Sequence, residues 1–336
     1  MNILLTAVGR RPYLVQWFQE ALQSAGLPGK VIAADLDAHA PARAFADDFL
    51  QAPRADSDEY LTWLEDVLES EDISLAVSIN DFELSTWSRL PQGTPWDVLV
   101  RLDEQTQNTV EDKVVMNQVL SDAEIPTPKT WVGSQAAQAF TEHDGDFITK
   151  GRFGSASRGL RFTNGKGLAE TIQDAVSEVT DRNGMPALQQ DSFAADDLVL
   201  VQERIDGTEY GVDVISDLKG NYAGVVAREK IAMRAGETDR AVSVDPEMFD
   251  SVAKHLSEAV PHQGTMDVDI IVDAEGTPYV IDINPRFGGG YPFSHLAGAD
   301  VPTAYVAWAD GATPPREWCD TEPGVTAGKY VGIAAS

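Results

Sequence analysis

Along the first hundred residues, short apolar runs alternate with stretches whose apolar positions recur at helical spacing. Residues 3–8 predict a buried strand, Gly9-Arg10-Arg11-Pro12 turns it, and residues 13–25 predict a helix, with Pro12 suited to its first position and Gly26 to its end. Residues 31–35 predict a second strand, 57–68 a helix faced by Leu61, Leu64 and Leu68, 73–79 a third strand, and 96–102 a further one. Strand alternating with helix is the pattern of a parallel sheet covered on both faces, so residues 1–104 predict a Rossmann-like α/β domain.

Beyond residue 105 the pattern changes. Glu111-Asp112-Lys113 opens an amphipathic helix through Leu120, and Ile125-Pro126-Thr127-Pro128 ends it and leads into a strand. Residues 146–150 and 159–162 predict strands around a glycine-serine loop, 168–181 a helix, and 198–203 an apolar strand. Long alternating strands follow at 210–215 and 222–229, then a helix at 246–260 and a hairpin over 266–284. This predicts a two-lobed α+β second domain over 105–336, with a small lobe at about 126–203 and a C-terminal lobe at about 204–336.

Composition narrows the function. The 336 residues carry 25 Lys and Arg against 54 Asp and Glu, a formal charge of −29. Such a field repels polyanions, which argues against nucleic-acid or anionic-membrane partners and requires any anionic ligand to be met by local positive charge. A single cysteine, Cys319, fits a reducing cytoplasm; the N-terminus reads as a strand and not as a targeting signal, and no apolar run is long enough to span a bilayer. His39, His143, His255, His262 and His295 lack ligand spacing and receive no role. The first turn lacks G-x-G-x-x-G, which argues against dinucleotide binding. Thr6, Gly9, Arg10, Asp35, Asn80, Asp81 and Glu83 fall at or after strand C-termini, where ligands sit in such sheets and where turn formers and helix caps also sit.

The most informative segment is the hairpin. With Glu275-Gly276 at its turn, Asp269 falls opposite Asp282 and Asp267 opposite Asn284, all on one sheet face. Facing carboxylates repel, and oxygen-only donors suit a hard cation such as Mg²⁺ or Mn²⁺ bound with phosphates; a solvated hairpin face in an acidic protein is the other reading. At 147–159 a strand delivers Lys150 to a small-residue loop whose N–H groups would cradle phosphates. The strand 199–203 ends in polar residues suited to reading an adenine edge, with Glu209 beyond it able to accept ribose hydroxyls.

In this order, Lys113, Lys150 with its loop, the stretch from Gln202 to Glu209, Asp269, and Asp282-x-Asn284-Pro285-Arg286 resemble the ATP-grasp superfamily over about residues 105–310. Residues 1–100 resemble the domain that precedes that fold, most closely in the carbamoyl-phosphate-synthase-like and pyrrolysine-biosynthesis-ligase-like branch. The resemblance implies ATP as cofactor with two Mg²⁺ (or Mn²⁺) ions. Lys113 and Lys150 would contact phosphates, Glu203 and Ile205 the adenine through their backbone, Gln202 the adenine edge and Glu209 the ribose. Asp269, Asp282 and Asn284 would hold the metal, and Arg286, Lys150 and Asn284 would serve catalysis. Asp267 stands where some members carry a basic residue, and its role is left open.

Two further stretches are expected at the second substrate. Arg228, Lys230, Arg234 and Arg240, with Arg286 nearby, concentrate positive charge suited to a carboxylate or phosphate, although Glu229, Glu237 and Asp239 could compensate it locally. Gly288, Gly289 and Gly290 let backbone approach an acceptor, and Arg10 and Asp81 are added from the first domain. The implied activity is an ATP-dependent carboxylate-amine ligase acting through an acylphosphate on small, amino-acid-like substrates. A carbamoyl-phosphate-synthase-like kinase and a non-catalytic ATP-binding subunit stand as alternatives, and a homodimer is one assembly compatible with each.

Overall fold

The computed structural model describes residues 1–154, 160–180 and 193–335. The loop residues 155–159 and Asp181, the last residue of an expected helix, lie outside them.

Strand β1 (Asn2–Thr6) leads into α1 (Pro12–Ala25), with Pro12 at its first turn and Gly26 closing it in the left-handed conformation at φ 66°. Then come β2 (Val31–Asp35), β3 (Asp48–Gln51), α2 (Tyr60–Ser70), β4 (Ile73–Ser78) and α3 (Asp81–Trp87). The strands form a parallel sheet in the order β3-β2-β1-β4. Two expectations fail here. Leu61 is exposed, because α2 begins at Tyr60 and packs Tyr60, Leu64, Val67 and Leu68 inward. The strand expected at 96–102 is a short 3₁₀ turn at Trp96–Val98: the Asp97 carboxylate accepts from Gly93 N–H at 2.8 Å and winds the chain, leaving Leu99 to bridge Ala76 alone.

Helices α4 (Glu104–Glu111) and α5 (Lys113–Asp122) replace the single helix expected from Glu111. Asp112 separates them: its extended backbone breaks the first helix, and its carboxylate caps the second by accepting from Val114 N–H at 3.0 Å. A four-stranded antiparallel sheet follows, built from β5 (Thr130–Val132), β6 (Asp146–Gly151), β7 (Arg161–Asn164) and β8 (Val199–Glu203) in the order β5-β8-β6-β7. Helices α6 (Ala136–Glu142) and α7 (Leu168–Thr180) accompany it.

The largest sheet has six antiparallel strands: β9 (Thr208–Ser216), β10 (Tyr222–Arg234), β11 (Glu237–Val244), β12 (Gly264–Val272), β13 (Pro278–Asn284) and the short β14 (Thr326–Gly328). Their order is β13-β12-β9-β10-β11-β14. Helix α8 (Glu247–Ala259) buries Phe249, Val252, Ala253 and Leu256 in the cluster containing Val212, Val214, Met266 and Val268. Beyond β13 lie α9 (Tyr291–Leu296) and α10 (Val301–Ala309). Phe18 and Leu22 of α1 share one apolar cluster with Phe287, Tyr291, Tyr305 and Ile215, so the first sheet's covering helix is part of the same core as the C-terminal lobe. That continuity fixes the strand ends of the first domain against the segment after β13.

Candidate active site

The register of the β12–β13 hairpin is the one the sequence predicts at its acidic end. Asp269 pairs with Asp282 and Asp267 with Asn284. Beyond Asp269 the ladder slips, Ile270 pairing with Val280, which leaves Ile281 as the extra residue of a bulge. The Ile281 carbonyl oxygen accepts from Lys150 Nζ at 3.0 Å.

Each carboxylate of the pair is met by a lysine of the chain. Lys113 Nζ lies 3.0 Å from Asp282 and donates to Gly154 O at 2.9 Å. Lys230 Nζ lies 2.7 Å from both Asp269 and Glu209. Burial pushes Asp269 up to about 6 against the pull of Lys230, whereas for Asp282 the lysines Lys113 and Lys150 outweigh burial and hold it below the usual range. Burial pushes Lys150 down to about 8, with Asp282 opposing. Burial also works against the charge on Lys230, but Asp269 and Glu209 more than offset it and hold it above the ordinary lysine range. Among the described residues no three His, Cys, Asp or Glu side chains form a metal-holding cluster; the donors gathered here are two carboxylates and the Asn284 amide.

Asn284 Oδ1 accepts from Arg286 Nη2 at 3.2 Å, and Arg286 Nε donates to Asp81 at 2.7 Å across the two domains. Burial disfavours the guanidinium charge, but Asp81 outweighs it and raises the pKa. Asp81 is thus the strand-end residue of the first domain that reaches the hairpin. The others bind one another: Thr6 and Ser78 donate to the buried Glu83, Asp35 accepts from Gly9 N–H, and Asn80 caps α3. Arg10 is exposed, and its neighbour Arg11 reaches instead toward Phe287 O at 3.4 Å and Glu237 at 3.5 Å.

The expected basic cluster forms only in part. Arg228 is 1 % exposed and bonded to Asp213, to Asp267 at 2.7 Å and to Ser294 Oγ at 3.1 Å, so its charge faces the chain's own carboxylates. Lys230 joins the hairpin as described, whereas Arg234 and Arg240 are exposed on β10 and β11. The glycines of 288–290 also have an internal cause. A Cβ on Gly288 would lie 2.1 Å from Asp267 and one on Gly290 2.3 Å from Arg228, so the backbone closely approaches these side chains; a Cβ on Gly289 would meet Glu237 at 3.2 Å. Asp267, left without a role by the sequence, joins Arg228 to the glycine segment. Sequence reading missed Asp213, although an acid between Val212 and Val214 in an otherwise apolar run signals a buried partner.

Of the residues expected at adenine and ribose, Gln202 is buried with its amide donating to Thr130 Oγ1 at 2.8 Å. Glu203 donates its N–H to Lys129 O at 2.9 Å, and its carboxylate accepts from Lys129 N–H at 2.9 Å. Ile205 lies half-buried in the link from β8 to β9, and Glu209 sits on β9 beside Lys230. The link between the small sheet and the large one therefore joins these residues to the hairpin.

Comparison with known proteins shows what the chain as a whole is similar to. Residues 110–290 match the family model of the ATP-grasp domain, and residues 3–93 match that of the PylC-like N-terminal domain. A pyruvate carboxylase of Aspergillus niger is 25% identical over 232 residues, which is 64% of this chain but only 18% of that protein, so the chain spans under a fifth of that curated relative's length. The dimeric biotin carboxylase domain of Hydrogenobacter thermophilus 2-oxoglutarate carboxylase, solved with MgADP, ADP and bicarbonate, superposes with a TM-score of 0.72 at 17% identity, covering 97% of this chain and 73% of that one. An L-amino acid ligase from Bacillus licheniformis superposes at 0.67 with 16% identity, covering 91% and 74% respectively.

Proposed function

Because the chain belongs to the ATP-grasp family, we propose that it is an ATP-dependent ligase that joins a small carboxylate to an amine by way of an acylphosphate. Residues 1–104 form one domain in this reading, and 105–336 the other, with its small lobe at about 126–203 and its C-terminal lobe at about 204–336. The observation that carries it is the convergence of Lys113, Lys150, Lys230 and Arg286, from four separate parts of the chain, on the Asp269–Asp282 pair and Asn284.

The donor set fits a divalent cation. Two facing carboxylates and an amide oxygen suit Mg²⁺ or Mn²⁺, and the lysines now against those carboxylates neutralise the charge that such an ion would neutralise. Asp269, Asp282 and Asn284 would hold two ions, which when bound supply charge neutralisation to the phosphates of ATP. Lys113 and Lys150 would hold phosphate oxygens, Glu203 and Ile205 the adenine by their backbone, Gln202 its edge, and Glu209 the ribose. A substrate carboxylate oxygen then takes the γ-phosphoryl group and the bond to ADP breaks. The amine next attacks the acyl carbon, phosphate leaves with the bonding pair, and the amine gives up a proton. Arg286, held in place by Asp81, would face the charge that develops on the transferred group. Of the residues expected at the second substrate, Arg10 and the 288–290 glycines belong to the acceptor side in this scheme, with Arg228 acting through Asp267 and the glycines, while Lys230 serves the hairpin carboxylates.

The test is ADP release with MgATP across a grid of amino acids and small carboxylates paired with amines, with mass spectrometry of products. A condensation product from both partners supports the ligase. ADP release with a carboxylate or bicarbonate alone supports the carbamoyl-phosphate-synthase-like kinase, and tight ATP binding without turnover the non-catalytic subunit. Lys150→Ala and Asp282→Ala are each expected to lower ADP release by at least about 100-fold with the circular dichroism spectrum unchanged.

A further inference from the structure

Between α4 and the segment after β13 lies a cavity of about 30 Å³, lined by Asp81, Gln107, Glu111, Lys113, Ile283 and Asn284 among others. About 10–15 Å³ suffices for one water, so this space takes a small head group. Gln107 is 2 % exposed, and its amide NH₂ donates to Glu111 Oε1 at 2.8 Å. That bond fixes the orientation of the amide, because turning it over would set two oxygens against each other. Gln107 Oε1 is left buried with no donor among the described residues. A buried acceptor left unsatisfied costs about 1–3 kcal/mol, which a ligand carrying N–H donors would recover.

The charges around the cavity select among donors. Two carboxylates, Asp81 and Glu111, line it; Asp81 is paired with Arg286 and the Lys113 ammonium that also borders it is turned to Asp282 and Gly154 O, so Glu111 is the lining carboxylate without a salt bridge among the described residues. Burial raises the pKa of Glu111, with Gln107 and Ser85 donating to it and the charge of Arg89 opposing the rise. An ammonium group supplies the donor that Gln107 Oε1 lacks and a charge opposite to that of Glu111, whereas a carboxylate or phosphate would supply neither. We infer that this cavity is an ammonium subsite, in which Gln107 Oε1 and Glu111, with Asp81 beside them, hold an alkylammonium head of the second substrate. Its position next to Asn284 sets that substrate within reach of the hairpin. The assignment of the head group to the amine partner rests on the ligase reading above; the subsite itself rests on the cavity.

Titration calorimetry on the full chain with a non-hydrolysable Mg²⁺–ATP analogue separates the two. Ethylammonium chloride is expected to bind saturably in the millimolar range, and tetramethylammonium chloride, which has no N–H, not to bind. Glu111→Gln and Gln107→Met are each expected to weaken ethylammonium at least fivefold, with affinity for the nucleotide analogue unchanged. No saturable ethylammonium binding, which would mean a water-filled cavity, overturns the inference, as does equal binding of the two cations or unaltered binding in both variants. The two cations compared on the unaltered chain decide the matter even where a variant does not fold. Ethylammonium binding without ADP release in the substrate grid would leave the subsite standing and remove the ligase; ADP release without ethylammonium binding would do the reverse.

Discussion

Gly288, Gly289 and Gly290 look alike in sequence and differ in what surrounds them. Arg228 cannot retreat from Gly290, being buried and bonded to Asp213 and Asp267, while the Glu237 side chain near Gly289 is about half exposed and can shift by a few tenths of an ångström together with its surface partner Lys329. Gly290→Ala is therefore expected to lose about 1–3 kcal/mol of stability in urea unfolding, in line with overpacking of a filled interior, and Gly289→Ala less than about 0.5 kcal/mol. Equal losses would show that the segment needs glycine for reasons other than space. Glu83 makes a second case. Burial raises its pKa from an ordinary value of 4.5, with Thr6 and Ser78 opposing. The folded chain then keeps that proton to higher pH than the unfolded chain, so the stabilising contribution is complete below about pH 4.5 and is lost as pH rises toward the raised value. Unfolding free energies of the wild type and Glu83→Gln, measured from pH 4 upward, should diverge in that sense, the variant lacking the decline.

At the scale of elements, one residue sets both a helix start and the direction of Lys113. Asp112 caps α5 through Val114 N–H and binds Arg152 in a fork, at 2.8 and 2.7 Å, while Lys113 begins the helix. Asp112→Asn keeps the cap and weakens the fork; Asp112→Ala removes both, with a cap worth about 1 kcal/mol and a broken buried ion pair about 3–5 kcal/mol. The alanine variant should unfold at clearly lower urea than the asparagine variant and bind the nucleotide analogue more weakly, because the first turn that aims Lys113 frays. The same elements mark what was legible in the sequence. Strong periodicity gave α1, α7, α8 and the hairpin; its expected register holds at Asp269 and Asp282 because the bulge at Ile281 offsets a turn one residue longer than the two-residue turn the sequence suggests. The edge strand β3, with only Phe49 and Leu50 apolar, and β11, whose inward positions include Thr238 and Ser243, lacked a hydrophobic signal because they are edge or polar-faced strands. Ordered motifs pointed to the hairpin with Lys113 and Lys150, but not to Lys230, which the sequence suggests for the second substrate, nor to the other partners supplied by distant chain. Asp213 amid Val212 and Val214 signals a buried partner locally, but that the partner is Arg228, like the cavity at Gln107, depends on which elements pack together.

For the whole molecule the question is how a chain of charge −29 admits a nucleotide. Local positive charge was the answer expected from the sequence, yet the five cations around the hairpin, Lys113, Lys150, Lys230, Arg228 and Arg286, sit among six carboxylates, Asp81, Glu209, Asp213, Asp267, Asp269 and Asp282. The described site is therefore not a positive patch, and its lysines can turn to phosphate only by leaving Asp269 and Asp282 uncompensated beside further negative charge. A divalent ion that takes over those carboxylates removes the conflict. Affinity for the ATP analogue should thus fall at least about tenfold when Mg²⁺ is replaced by a chelator at about 0.15 M salt, where screening beyond about 8 Å already suppresses the long-range field. The stronger form of the argument is a crossing. In Asp269→Asn/Asp282→Asn the lysines are released without a metal, so binding of the metal-free analogue should strengthen while binding of its Mg²⁺ complex weakens. Calorimetric titration of both nucleotide forms against both proteins decides it: if the double variant loses affinity for each form alike, the carboxylates position the nucleotide by packing, and the charge exchange is not how this site works.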